Sequence, residues 1–229
     1  QCDWSSDVCS SDLGMAIAIR LAFVLLLVAC SAHAQQDLPA NAVLLVAKPG
    51  LRDPNFARTV VLVTQTEDGG TVGVILNRPT TLRLSQFLAS EFETRNYREP
   101  VFSGGPVMRQ ALVSLFRTET VPAHPAFHVL KNVYLTMHPD NIAGLLADPA
   151  ARYRIYAGFS GWAPRQLESE MMREGWYMLP ADEATAFSED TAELWERLLE
   201  RAKRLGPRVE RPRSTIGRAW PARPASSAS

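Results

Sequence analysis

The sequence predicts an α+β fold, and three observations carry the prediction. β-Branched runs recur at hairpin spacing, two of them joined by Asp68-Gly69-Gly70, a triplet suited to an antiparallel turn. Other segments carry apolar residues at helical spacing, most clearly Leu194, Leu198, Ala202 and Leu205, one stripe of a 3.6-residue repeat. The composition is globular, 46% hydrophobic and 21% charged, and 229 residues are enough for one sizeable core. Strands in hairpins with helices between them make one α+β domain over residues 38–205.

Each element follows from local signals. Residues 43–47 are a short apolar run stopped by Lys48-Pro49-Gly50, a strand ending in a turn. Asp53-Pro54-Asn55-Phe56 reads as a turn or cap. Residues 59–66 (TVVLVTQT) are β-branched and half continuous, as a mostly buried strand should be. Residues 72–76 (VGVIL) return from the hairpin, and Asn77-Arg78-Pro79 stops them because proline cannot donate to a ladder. A helix is expected over residues 84–95, with Leu84, Phe87, Leu88 and Phe92 on one face. Ser103-Gly104-Gly105-Pro106 is a forced tight turn. Residues 111–116, 133–136 and 153–158 are expected strands, and 140–147 a short helix opened by Pro139. Residues 158–168 (GFSGWAPRQLE) read as a small-residue loop around Trp162 that runs into a helix over 166–174, ending at Gly175. Residues 176–179 are extended, and Pro180-Ala181-Asp182 caps a short turn toward Phe187. The last helix is expected over 188–205, capped by Ser188 or Asp190 and stopped by Gly206-Pro207.

Composition sets the two ends apart. Residues 1–14 (QCDWSSDVCSSDLG) are rich in Ser, Asp and Cys, lack periodicity, and read as a non-native leader ahead of Met15. Residues 15–34 have the form of a signal peptide: one cation, Arg20, then an apolar run over 21–29 too short to span a bilayer. Ala32-His33-Ala34 offers ordinary cleavage before Gln35, and Leu27-Val28-Ala29-Cys30 resembles a bacterial lipobox, which makes Cys30 the lipidation candidate. The expected location is periplasmic or lipid-anchored, with a cytoplasmic chain the alternative if the true start lies further along. Residues 206–229 scatter five arginines among prolines, a disordered tail with too few apolar groups to fold.

Charge and residue usage narrow the chemistry. The formal net charge is +0 at pH 7, so no global field draws in nucleic acid, and specific nucleic-acid recognition is not expected. All three cysteines lie at or before Cys30, so the domain offers no disulfide, thiolate nucleophile or cysteine-based zinc site. A G-x4-G-K-[ST] phosphate loop is absent from the sequence. Gly158-Phe159-Ser160 begins like a nucleophile elbow, but Trp162 stands where the last glycine belongs, and the last histidine, His138, precedes Ser160. His124 and His128 are four apart, yet Pro122 and Pro125 bracket His124, and a zinc site needs both to converge with His138. Asp53 and Asp182 lie at turns where capping explains them. No catalytic residue, metal or cofactor is assigned on this reading.

Six segments in order resemble the YqgE/AlgH family of bacterial proteins. They are PGLRDPNFARTVVLVTQ (49–65), VGVILNRP (72–79), FSGGPV (102–107), LTMHPDNI (135–142), GFSGWAPRQLESEM (158–171) and WYMLPADEATAF (176–187), the last followed by the Trp195 helix. The resemblance implies a bifurcated, largely antiparallel sheet curled into a pseudo-barrel with flanking helices. It carries no established catalytic residue or cofactor, although some members bear the name of a transcriptional regulator. Matched residue by residue, the recurring positions fall on Asp53, Asn77, Arg78, Gly104, Gly105, Gly161, Trp162, Gln166 and Asp182, a candidate binding surface. The signal segment departs from the family, whose members are usually without one, and an exported copy cannot regulate transcription directly. The expectation is therefore a non-catalytic binding or regulatory domain, exported here, that takes an unknown protein or small-molecule ligand and is membrane-anchored where Cys30 is acylated. The alternatives are a hydrolase using Ser160 or a His-based site, and a cytosolic transcriptional regulator.

Overall fold

The computed structural model describes residues 42–88, 97, 99–173 and 175–205. The leader, the signal segment with Cys30, the tail and residues 89–95 of the helix expected over 84–95 lie outside the described residues. The strands are β1 (Val43–Ala47), β2 (Val60–Gln65), β3 (Thr71–Ile75), β4 (Phe102–Ser103), β5 (Val107–Arg117), β6 (Phe127–Leu130), β7 (Val133–Thr136), β8 (Arg152–Trp162) and β9 (Trp176–Pro180). The helices are α1 (Pro139–Ala147), α2 (Gln166–Met172), α3 (Glu183–Ala186) and α4 (Leu194–Leu205).

The strands join in the order β6-β7-β5-β8-β3-β2-β1-β9, antiparallel throughout, with the short β4 parallel to β8. The bifurcation lies at β8. Its residues 152–157 pair with β5, Tyr156 and Ala157 also pair with β4, and residues 160–162 pair with β3. The sheet curls without closing. The Ala42 N–H donates to the Val129 carbonyl (3.2 Å), which links the start of β1 to edge strand β6.

The curl explains the sequence pattern. Leu44, Val46, Val60 and Leu62 face one core, whereas Leu45, Ala47, Val61 and Val63 face a second. Both faces of β1 and β2 are covered, so these strands are continuous in apolarity and do not alternate. The α4 stripe Leu194, Leu198 and Ala202, with Trp195 and Leu199, packs on the first core. Leu167 of α2 packs on the second, with Phe56, Trp162 and Trp176. Ile142 and Leu146 of α1 cover a third cluster with Val101, Ile155 and Ala157.

Several expected elements are corrected. The segment read as a loop from Gly158 is the last stretch of β8, which runs through to Trp162. Its glycines serve close approach between strands and not a turn. The last helix begins at Leu194 and not at residue 188. Asp190 Oδ1 accepts the Glu193 N–H (3.2 Å) and the Ser188 hydroxyl donates to the Asp190 carbonyl (3.2 Å), local bonds that compete with helix. The described start of the helix expected over 84–95 is a 3-10 turn, Leu84–Gln86, whose Gln86 side chain accepts the Arg83 N–H (2.9 Å). Strand β6 was not anticipated, because it is four residues long, with Pro125 close ahead of it and His128 inside it.

Candidate functional site

Most of the motif residues meet around one turn. The Asp53 carbonyl accepts the N–H groups of Phe56 (3.0 Å) and Ala57 (2.9 Å). Its carboxylate accepts the backbone N–H of Asn55 (2.8 Å) and the Asn55 side-chain amide (3.0 Å), so Asp53 is a turn cap. The chain leaving β3 clamps the turn from the other side. Arg78 donates to the carbonyls of Asn55 (2.5 Å) and Ala57 (3.2 Å). Asn77 accepts the Val60 N–H (2.9 Å) and donates to the Arg58 carbonyl (3.0 Å). Partial burial lowers the Arg78 pKa from its ordinary value, and the Asp53 carboxylate opposes that shift. The guanidinium remains charged at physiological pH.

A second arginine reaches the same turn, with Arg109 donating to the Asn55 side-chain oxygen (3.1 Å). It follows Met108, which lies at φ 45° with 65% of its surface exposed. A non-glycine residue at positive φ is a point of local strain. Glycines let the chain lie close enough to β8 to reach this place. A Cβ on Gly104 would stand 2.1 Å from the Gly158 carbonyl oxygen, and one on Gly158 would stand 2.7 Å from the Val107 carbonyl oxygen. At Gly105, at φ +151°, a Cβ would stand 2.4 Å from the Phe159 backbone. Ser160 is fully buried and donates to the Gly104 carbonyl (2.9 Å), which staples the contact.

Behind the turn, buried Phe56 stacks on Trp162 (5.6 Å between centroids, 24°) and meets Trp176 edge-on (5.4 Å, 70°). Both indole N–H groups donate to one oxygen of Glu170, at 3.1 and 3.2 Å, and Gln166 donates to the other (3.4 Å). The Gln166 side-chain oxygen also accepts the Ala163 N–H (3.0 Å) and so fixes the start of α2. A carboxylate with three N–H donors is well satisfied. Gly161 pairs with Val72 and lies under the Phe159 ring, which a Cβ would meet at 3.3 Å. Asp182 lies outside this chain of contacts. It caps α3 by accepting the Thr185 N–H (2.8 Å) and sits 3.8 Å from Arg201.

The histidines divide differently from the sequence expectation. His124 and His138 stack in parallel (4.5 Å, 8°) beside Asp140, at 3.9 and 3.8 Å from its carboxylate. His128 is not with them and packs on Tyr134 (5.0 Å). None of the hydrogen bonds among the described residues pairs Ser160 with an imidazole.

Sequence reasoning did not single out Asn55, Met108 or Arg109 for this site. Asn55 stands inside the segment that names Asp53, so a local signal existed. Met108 and Arg109 carried none, because Arg109 meets Asn55 across 54 residues of chain.

Comparison with known proteins agrees with this architecture. The model of the AlgH-like family matches residues 44–205. A UPF0301 protein of Thermobifida fusca is 37% identical over 173 residues, covering 72% of this chain and 87% of its own length. One from Myxococcus xanthus is 33% identical over 160 residues, covering 68% of this chain and 87% of its own length. The solution structure of the AlgH protein from Pseudomonas aeruginosa superposes with a TM-score of 0.57 at 25% identity, over 84% of this chain and 99% of that one. A crystal structure from Corynebacterium diphtheriae shares the fold, with a TM-score of 0.56 at 22% identity over 71% of this chain and 87% of that one. Motif order, sheet topology and relatives thus lead to one placement: the chain belongs to the AlgH-like family, the UPF0301 proteins.

Proposed function

We propose that the domain is a non-catalytic binding module whose ligand, a protein or a small molecule, docks on the face formed by residues 53–57, Arg78, Met108 and Arg109. One observation carries this reading: the motif's polar groups are already paired inside the domain, while Met108 and Arg109 beside them face solvent. Ser160 is enclosed against a carbonyl, Glu170 holds two indoles, and Arg78 holds two carbonyls. Side chains fixed in this way shape a surface and keep it in place. Methionine and arginine are residue types enriched in protein interfaces. A photo-crosslinking side chain at position 108, introduced in cells, is expected to trap a discrete species that Arg109→Glu abolishes and Asp182→Ala leaves intact. Steady turnover of an ester, phosphoester or peptide substrate, removed by Ser160→Ala, would overturn the reading, as would the absence of any trapped species.

On this reading the protein acts after export. Support comes from the apolar run over residues 21–29 behind Arg20, followed by Cys30 and the Ala32-His33-Ala34 pattern. Mass spectrometry of protein from cells should find a mature start at acylated Cys30 or at Gln35. An intact leader on protein recovered from the cytoplasm would sink the export reading and leave the binding face untouched.

A further inference from the structure

The loop before β6 and the start of α1 bring three ligand-type side chains together. Among the described residues, His124, His138 and Asp140 form the one group of three His, Cys, Asp or Glu whose ligand atoms all lie within 4.8 Å of one another. Their side chains are 43%, 31% and 65% exposed, so all three are within reach of solvent.

The backbone around them is held by other residues. The Asn141 amide donates to the carbonyls of His124 (3.2 Å) and Pro125 (3.3 Å) and to the Thr136 hydroxyl (3.1 Å). That hydroxyl donates to the Pro125 carbonyl (2.9 Å) and accepts the His138 N–H (3.0 Å). Pro122, Pro125 and Pro139 fix φ on either side of the two histidines. The His124 loop is thereby tied to the start of α1. The one ligand atom engaged by this framework is His138 Nδ1, which accepts the Asp140 N–H at a long 3.3 Å, a bond that its single lone pair gives up when it coordinates an ion.

We propose that His124, His138 and Asp140 bind one divalent transition-metal ion of the zinc type, with its remaining coordination positions open to the groove beside α1. Two imidazoles and one carboxylate suit Zn²⁺ and its neighbours, whereas Ca²⁺ and Mg²⁺ require sets of oxygens. Donors on a tetrahedral zinc lie roughly 3.3 Å apart, given bonds of about 2.0–2.2 Å. Each histidine donor is within 3.9 Å of the Asp140 carboxylate, so these two pairs need a contraction of about half an ångström, and the two imidazole donors, within 4.8 Å of each other, must close by up to about 1.5 Å. The rings must also splay from parallel, because a nitrogen lone pair lies in its ring plane. Partly exposed side chains change rotamer readily. The groove of about 520 Å³ that His124, Asp140, Asn141 and Gly144 help to line gives the ion access to solvent and to a further ligand.

The test uses the full chain made without a polyhistidine tag, titrated with Zn²⁺ by calorimetry and with Co²⁺ by visible absorption. One ion per chain is expected, with the d–d bands of four- or five-coordinate Co²⁺. His124→Gln and Asp140→Asn should each weaken binding about tenfold or more, and Asn141→Ala, which removes only the clamp, by roughly tenfold. His128→Gln should leave it unchanged, and circular dichroism should show every variant folded. Affinity indifferent to His124→Gln and Asp140→Asn overturns the proposal. So does cobalt bound only through thiolates, which would assign the ion to the cysteines that end at Cys30.

Discussion

At the scale of single residues, what a position lacks decides as much as what it carries. Gly104 sits where a Cβ would stand 2.1 Å from the Gly158 carbonyl oxygen and 3.1 Å from the Tyr156 Cβ. Both neighbours belong to β8, a backbone carbonyl and a Cβ that cannot rotate aside. Gly104→Ala is therefore expected to cost about 1–3 kcal/mol or more, the range for overpacking a closed site. Gly144 offers the contrast, lying inside α1 with open space around its missing Cβ. Gly144→Ala should stabilise by about 0.5–1 kcal/mol, because alanine loses less backbone freedom on entering a helix. Urea denaturation of both variants checks the pair, and equal effects of the same sign would refute the steric account. The residue types at these positions were legible in the sequence, and so were the capping roles of Asp53 and Asp182. The role of the glycines was not, since a glycine that admits a neighbouring strand and one that makes a turn look alike until the neighbour is known.

At the scale of elements, legibility followed how sharply a run was bounded. β1 and β7 occupy the expected residues because proline, glycine or a polar pair closes each apolar run. β8 outran its expected end because Gly158 looked like a stop, whereas at φ +71° it bends the strand and pairing resumes on the far side. The β2–β3 hairpin, read correctly from Asp68-Gly69-Gly70, holds a carboxylate whose ionised form the turn favours. The Thr66 hydroxyl and the Gly70 N–H donate to the Asp68 carboxylate, which holds its pKa below the ordinary value. Both bonds favour the ionised form, so the folded pKa lies below the unfolded value of about 3.9. The stabilisation is then complete above about pH 4 and fades as pH falls through the lower, folded pKa. An NMR titration of the Asp68 carboxyl should place its midpoint below that of an unfolded aspartate, and Asp68→Asn should flatten this part of the stability profile. A midpoint at or above the unfolded value would refute the assignment.

At the scale of the whole molecule, the largest core cluster takes at least one residue from each of the nine strands among the described residues, and α4 lies against it. This convergence was the least legible feature, because it depends on where the sheet curls. The meeting of Arg109 with Asn55, and of His124 with Asp140, comes from the same curl and not from any local pattern. A shared core also implies that the two branches of the sheet unfold together. Trp195 tests the point, since its indole N–H donates to the Ala47 carbonyl (2.8 Å) and the Arg58 guanidinium covers its ring at 4.4 Å. Trp195→Phe keeps most of the apolar surface but strands a buried carbonyl, which should cost about 1–3 kcal/mol. In urea the variant should show a lower midpoint with an unchanged slope, and one transition common to far-ultraviolet circular dichroism and to fluorescence. Trp162 and Trp176 remain in the second cluster to report on the opposite face of β1 and β2. Were α4 and β1 to melt ahead of the strands around β5, the two signals would separate, and the largest cluster would have to be divided between the two branches.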